Sequence, residues 1–313
     1  MSARVVSPAS ILVDLAIEVP ALPERGGDVV ARASRTEVGG GFNLIAAAAR
    51  QGIECVYAGP HGVGRYGDLV RAALAAEGVR IVAAPRTDAD TGYCVALIEP
   101  DAERTFVTVT GVEAQVTAAE LDAAGIRPDD VVALSGYDLA YPGSGPVLGR
   151  WLGTAPPARY ALDPGPLVAE IPTGILAAAL ARVEILTLNQ REARLLGDAP
   201  DASGTVLLDA VRAVPALNPA ALVVVREGAA GCVAAGGALG DTALAVPAPA
   251  VEAVDTSGAG DTHTGVLLAE LARGTEAVEA LRLATLAAAI SVTRRGPAQA
   301  PARAEIVAAG LGA

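Results

Sequence analysis

The chain is predicted to be a three-layer, doubly wound α/β domain with one large, mainly parallel sheet and a small second β-sheet. The first reason is a rhythm of short apolar runs: Val131-Val132-Ala133-Leu134, Tyr160-Ala161-Leu162, Ile185-Leu186-Thr187-Leu188 and residues 221–225. Each ends in polar or glycine residues and is separated from the next by a helical stretch. That pattern reads as strands buried on both faces, whose C-terminal ends form the functional edge. The second reason is a pair of separated segments, about 15–38 and 88–112, that look half-buried and suggest one small sheet built from both. With 313 residues, 52% of them apolar, the chain can bury one large domain plus a small addition, and no repeat or long linker divides 1–313.

Taken in order, Ile11-Leu12-Val13 reads as the first buried strand, closed by Asp14. A carboxylate there either faces the ligand crevice at the strand end or starts a turn. Gly39-Gly40-Gly41-Phe42-Asn43 precedes an Ala-rich helix that stops at Gly52. Amides at such a helix start can bind hydroxyl groups, and Asn43 offers both a donor and an acceptor.

Gly62-Val63-Gly64-Arg65-Tyr66-Gly67 is a literal dinucleotide-binding pattern between a strand at 55–58 and a helix at 68–77, with Asp88 further on. It lies in the second unit, and Pro60-His61 stand between the strand and the first glycine, so the tight turn a pyrophosphate needs is not expected. Tyr93 to Ile98 and Thr105 to Val109 alternate as half-buried strands around a Pro100-Asp101 turn. Arg104 sits in that hairpin, where reaching a substrate and pairing with Glu103 or Asp101 are both open.

Asn189 and Glu192 fall one helical turn apart on one face. The pair suits Mg2+ held through water, and it equally suits an N-cap with a reciprocal glutamate. Residues 277–292 read as an amphipathic helix.

The most informative stretch runs from Asp255 to Gly265, Asp-Thr-Ser-Gly-Ala-Gly-Asp-Thr-His-Thr-Gly, and leads into an apolar helix. Gly258, Ala259 and Gly260 are small enough for a turn that aims backbone N–H groups outward, beside the positive end of that helix. Asp261 then stands next to an anion site. As an N-cap it would be purely structural. As a base it would take a proton from a hydroxyl while the amides stabilise a phosphoryl group moving toward that oxygen.

Composition removes competing chemistries. All 23 basic residues are arginine, so mechanisms built on a P-loop lysine, a protein-kinase lysine or a Schiff base are out. His61 and His263 are the only histidines, too few for a His-rich metal site. Cys55, Cys94 and Cys232 are scattered and odd in number, which fits reduced thiols in a cytoplasm. A net charge of −12 argues against nucleic acid and anionic membranes as partners. No secretory signal and no membrane-spanning run is expected.

The string 255–265 resembles the C-terminal signature of the ribokinase-like (PfkB) family of sugar and nucleoside kinases, D-T-x-G-A-G-D-x-x-x-G, at every fixed position. Gly39, Gly41 and Asn43 resemble its N-terminal glycine motif, with Val38 where the first glycine is usual. Gly59, Gly62 and Gly67 match its second motif, with Gly64 in place of the usual aspartate. The resemblance implies a ribokinase-like fold whose small sheet is a lid, and an ATP-dependent carbohydrate kinase. By that resemblance Asp261 is the base and Gly258, Ala259 and Gly260 are the anion hole. Asp14, Gly39, Gly41, Asn43 and Arg104 meet the acceptor, and Asn189, Glu192, Arg226, Gly228, Gly231 and Thr285 serve ATP.

The resemblance also implies Mg2+ held near Glu192 through water. Asp255 with Ser291, Arg294 and Gly296 corresponds to the K+ site of several members. Some relatives pair lid to lid as homodimers.

The residues before Asn43 carry no cation, which favours an unphosphorylated pentose or ketohexose, while Arg32, Arg35 and Arg104 leave a sugar phosphate open. A nucleoside would need stacking from Phe42, Tyr66, Tyr93, Phe106 or Tyr137, aromatics being only 3% of the chain. A non-catalytic sugar-binding regulator on the same fold is the alternative outside the enzymes.

Overall fold

The computed structural model describes residues 3–101 and 103–310. Its strands are β1 (Arg4–Ser7), β2 (Ile11–Glu18), β3 (Ala33–Gly40), β4 (Glu54–Tyr57), β5 (Arg80–Ile81), β6 (Tyr93–Ile98), β7 (Arg104–Val109), β8 (Val131–Ser135), β9 (Arg159–Asp163), β10 (Ile185–Asn189), β11 (Leu222–Arg226), β12 (Cys232–Ala235) and β13 (Leu244–Val246). Nine of them form one sheet in the order β13-β12-β11-β10-β9-β8-β1-β4-β5. From β5 to β11 every neighbouring pair is parallel, and β12 and β13 close one edge antiparallel. The remaining four make the small sheet, β3-β2-β6-β7.

Period-two alternation sorts the large sheet into two cores. Val6, Val132, Leu186 and Val223 pack one way, against Leu148, Trp151, Leu180, Leu207 and Leu208. Val5, Val131 and Ile185 pack the other way, against Ile45, Val70, Leu74 and Leu268. Leu222 and Val224 continue that second face onto Val266 and Leu281. Strands covered on both faces have no use for polar alternation, which is why they read as unbroken apolar runs.

The start of the chain departs from expectation. The first strand of the large sheet is Arg4–Ser7, seated between β4 and β8. Ile11-Leu12-Val13 belongs to β2 of the small sheet, so Asp14 lies mid-strand, opposite Glu37 and Cys94. The chain turns through Pro8-Ala9-Ser10 and crosses directly from one sheet to the other. Val5-Val6 is too short an apolar run to stand out beside Ile11-Leu12-Val13, although both are fully buried. The small sheet therefore begins at Ile11, and residues 19–32 between β2 and β3 carry no strand.

Among the described residues no helix is long and apolar enough to cross a membrane. All three cysteines are buried and unpaired.

Candidate active site

A cavity of about 550 Å³ lies between the C-terminal ends of β8 to β11 and the inner face of the small sheet. That is the size of a small-ligand site, placed where parallel α/β sheets put theirs. Three groups of residues line it.

The first is the turn 256–261. The helix Ala259–Arg273 starts behind Gly258, whose backbone is left-handed at φ 68°; an added Cβ there would also meet the Pro297 carbonyl oxygen at 1.9 Å. Only glycine satisfies both demands. Gly258, Ala259, Gly260 and Asp261 all line the cavity. Among the described residues the amides of Gly258 and Gly260 have no acceptor, and that of Ala259 makes one long bond, 3.4 Å, to the Thr256 carbonyl. The helix thus presents N–H groups and its positive end to the cavity.

Asp261, half-buried in the first turn, accepts one hydrogen bond, from Asn43 Nδ2 at 3.2 Å. Burial, and then the negative charge of Asp163, push its pKa up to about 6, against the pull of Asn43 and Arg226.

The second group comes from β2, β3 and the helix Gly41–Ala49. Asp14 projects across Gly39; a Cβ on Gly39 would lie 2.0 Å from its Oδ2, so the glycine makes room for the carboxylate. Burial and Glu37 raise the Asp14 pKa to about 6. Gly41 packs against Ala9, with an added Cβ 2.8 Å from that residue's Cβ. Asn43 is buried, and its Oδ1 has no hydrogen-bond partner. An unpartnered buried acceptor in a cavity wall costs free energy that a ligand hydroxyl would recover.

The third group sits on the strand ends. Asn189 and Glu192 form the reciprocal cap: Asn189 Oδ1 accepts from the Glu192 amide at 2.9 Å, and Glu192 Oε2 accepts from the Asn189 amide at 2.8 Å. Both also line the cavity, so the capping geometry and a place in the site coexist.

Arg226 donates to Asp163 Oδ2 at 2.7 Å and to the hydroxyls of Thr187 at 3.0 Å and Thr264 at 2.7 Å, with Glu192 at 3.6 Å. Its guanidinium is a buried clamp between two carboxylates, set under the Gly260 carbonyl. Burial and the neighbouring Asp163 charge push the Glu192 pKa up.

The model of the pfkB family of carbohydrate kinases matches residues 2–303. The chain belongs to that family. It is an ATP-dependent sugar kinase by family membership, and it is 34% identical to the uncharacterized sugar kinase YegV of Escherichia coli over 95% of this chain and 91% of that one. It is also 31% identical to the ATP-dependent ribose-1-phosphate kinase of Halopiger xanaduensis over 98% of both chains. Ribokinase from Giardia lamblia superposes with a TM-score of 0.83 at 21% identity, covering 100% of this chain and 99% of that one, a likeness of fold.

In this pfkB kinase the other residues singled out by sequence lie at the margin of the cavity or beyond it. Arg104 reaches in from the lid strand β7, lines the cavity, and pairs with Asp255 at 2.9 Å rather than with Glu103 or Asp101. Gly228 and Gly231, both with positive φ, form the turn between β11 and β12 and do not border the cavity. Thr285 is buried behind β12, against Cys232 and His263 Nε2. His263 packs with it, and burial lowers its pKa to about 3.

Part of the ligand set corresponding to the K+ site is committed within the chain. Asp255 Oδ1 accepts from Arg104, from the Ser257 amide at 3.0 Å and from the Ser257 hydroxyl at 2.6 Å. Asp255 Oδ2 accepts from the Gly296 amide at 3.0 Å, and the Ser291 carbonyl accepts from the Arg294 amide at 3.1 Å. With a guanidinium and three further donors on it, the Asp255 carboxylate does not fit a bound monovalent cation as it stands.

The glycine pattern at 62–67 is filled from inside the chain. Asp90 accepts from the amides of Tyr66 and Gly67, each at 2.9 Å, at the start of the helix Arg65–Ala76. Its carboxylate occupies the space beside Gly64, where a Cβ would meet it at 2.4 Å. A side-chain anion stands where a pyrophosphate would.

Sequence reasoning missed Asp163 as a partner of Arg226, and missed Ser10, Glu37 and Thr108 as lining residues. Asp163 closes the run Tyr160-Ala161-Leu162 at the functional edge, a signal that was present in the pattern.

Proposed function

We propose that this kinase transfers the γ-phosphoryl group of ATP to a hydroxyl of a small unphosphorylated sugar, a pentose or ketohexose. The observation that carries the reading is the juxtaposition at residue 261. A carboxylate with a pKa of about 6 stands in the first turn of a helix where the Gly258 and Gly260 amides lack partners, 3.2 Å from an asparagine with its own acceptor free.

Asp14 and Asn43 orient the sugar. Asp261 accepts the hydroxyl proton as that oxygen bonds to the γ-phosphorus and the bond to the ADP oxygen breaks. The amides of Gly258, Ala259 and Gly260 hold the charge that builds on the transferring group.

The triphosphate would lie toward Asn189, Glu192 and Arg226, with the Gly228–Gly231 turn and Thr285 further out on the nucleotide side. Among the described residues no cluster of three acidic, histidine or cysteine side chains could cage a metal. A single buried carboxylate at Glu192 suits Mg2+ that is held through water and ATP, where the ion would neutralise phosphate charge.

An unphosphorylated acceptor is favoured by charge. The cavity is lined by Asp14, Glu37, Asp163, Glu192 and Asp261 against three arginines. Each of those arginines is already ion-paired: Arg35 with Glu18 and Glu37, Arg104 with Asp255, Arg226 with Asp163 and Glu192. A phosphate on the acceptor would have to compete with those carboxylates, Arg104 Nε being the one buried arginine N–H without a partner among the described residues.

The competing substrate is a sugar 1-phosphate, the acceptor named for the Halopiger relative. ADP release over a panel of pentoses, ketohexoses, nucleosides and ribose 1-phosphate separates them. Turnover on ribose 1-phosphate above every free sugar would overturn the acceptor assignment, and none on any member would favour a non-catalytic binder.

The exposed edge strand β7, with Phe106, Val107 and Val109 open to solvent, supports a second copy pairing lid to lid. A monomer by light scattering would exclude that. The buried free thiols and the acidic surface support a cytoplasmic enzyme.

A further inference from the structure

We infer that Arg104 is a built-in cation for the anion-hole loop, so that lid closure takes the place of a bound monovalent ion. The inference rests on the kinase reading above and concerns what holds residues 255–258 in place.

Asp255 opens that loop, and its carboxylate gathers the chain around it: the amide and hydroxyl of Ser257 on Oδ1, the amide of Gly296 on Oδ2. So concentrated a carboxylate calls for a compensating positive charge. The Asp255 pKa is held well below the usual carboxylate range, these donors outweighing the burial that would raise it.

The positive charge is the Arg104 guanidinium. Nη2 lies 2.9 Å from Asp255 Oδ1, and Nη1 donates to the Ser257 hydroxyl, which itself donates to Asp255. One planar fork thus bridges residues 255 and 257, immediately before Gly258, and holds the turn from which the unpartnered amides project.

An ion would arrive from solvent, whereas this cation arrives on the lid. Arg104 opens β7, 151 residues from Asp255 in sequence, and Asp255 retains less than a tenth of its side-chain exposure. Glu37 of β3 adds a second lid contact, its Oε1 lying 3.3 Å from where a Cβ on Gly296 would stand. The lid therefore touches both sides of the Asp255 cluster. When a sugar draws the lid shut, the guanidinium docks and the amides of 258–260 are set for the phosphoryl group; when it opens, Asp255 loses its counter-charge. Arg104 is a positioning residue, acting on the reaction through Asp255 and Ser257.

The test uses the full chain and its best acceptor from the panel. Wild-type turnover is measured with K+, with Na+, and with tetramethylammonium as the sole monovalent cation; it is expected to vary by no more than about twofold. Arg104→Ala is expected to lower kcat by about 10- to 100-fold with little change in the KM for ATP. Added guanidinium or K+, small enough to sit on Asp255, should restore part of it. Arg104→Lys should retain more activity than Arg104→Ala, and Tm is followed for both variants.

Loss of more than about tenfold wild-type turnover on removing K+ would overturn the inference, and this measurement needs no variant to fold. So would an Arg104→Ala enzyme as active as the parent, or one whose lost activity neither ion restores. A wild type inactive on every acceptor would instead count against the kinase reading, leaving the two failures distinct.

Discussion

Asp261→Asn separates catalysis from stability, because the two should move in opposite directions. The carboxylate is the proposed proton acceptor, and losing a general base costs about 10²- to 10⁴-fold in kcat, or roughly 2.7–5.4 kcal/mol of barrier. ATP binding should survive, since the one hydrogen bond to Asp261 comes from Asn43 Nδ2, which an amide oxygen can still accept.

Stability follows from linkage. Burial lifts this acid from 3.8 to about 6, so between those values the folded chain holds a proton that the unfolded chain has released. The stability tied to that proton is lost as pH rises through about 6, and at neutral pH the charged side chain is a net cost. The difference corresponds to about 3 kcal/mol, and screening by water in the cavity leaves about 1–2 kcal/mol.

The amide carries no such charge. At pH 7.5 the variant should therefore melt roughly 2–6 °C higher than the parent, and the gain should vanish near pH 4. Parent kcat should itself fall as pH drops through about 6, where the base takes up a proton. Coupled ADP release and thermal scans across pH read all of this. Near-parent turnover, or a variant that melts lower and no longer binds ATP, would refute the assigned base.

Three further outcomes follow from the same geometry. Asp14→Asn should raise the KM for the sugar about 10- to 100-fold and leave that for ATP unchanged, as expected for a charged acceptor of hydroxyl bonds; a change confined to ATP would remove Asp14 from the acceptor side. Arg226→Met should lower stability by about 3–5 kcal/mol, because Asp163 and Glu192 would face each other without the guanidinium between them, and a chemical-denaturation midpoint equal to the parent's would contradict the clamp. Asp90→Ala should cost about 1–2 kcal/mol through the uncapped helix at Arg65 while kcat and both KM values hold; altered ATP kinetics would place the nucleotide at the wrong end of the chain.

Much of this was legible in the sequence wherever one local pattern decides one local structure. Parallel strands buried on both faces write themselves as apolar runs, and the glycine turn before a helix writes itself as small residues followed by an apolar stripe. Asp255 to Gly265 combined both, so the glycine turn and Asp261 in the first turn of the helix could be read as a unit. The first strand could not, because Val5-Val6 and Ile11-Leu12-Val13 are equally buried and only pairing tells which joins which sheet.

Side-chain partners were harder still. Arg226 to Asp163 spans 63 positions and Arg104 to Asp255 spans 151. Sequence offered Arg104 two neighbouring acids, Asp101 and Glu103, yet the residue points across the lid to a carboxylate already crowded with donors. The nearest opposite charge in sequence carries little weight on an exposed hairpin, where an ion pair contributes almost nothing. A partly buried, bidentate contact contributes more.

The missing lysines acquire a physical sense at these two arginines. At Arg226 one planar group meets a carboxylate, two hydroxyls and a second carboxylate. At Arg104 it spans a carboxylate and a hydroxyl two residues apart. At Arg226 the fork lets Nη1 hold Asp163 and both hydroxyls while Nη2 faces Glu192, a span that an ammonium, with its three donors on one nitrogen, does not have.

The two forks lie on opposite sides of the same turn, one fixed in the sheet and one carried on the lid. In the proposed cycle the sheet-borne fork stays under Gly260 as the lid moves, whereas the lid-borne fork reaches Ser257 only on closure. On that proposal the anion hole would be half built in the open enzyme and complete only with the acceptor enclosed. Under those conditions ATP is presented to a sugar hydroxyl rather than to water.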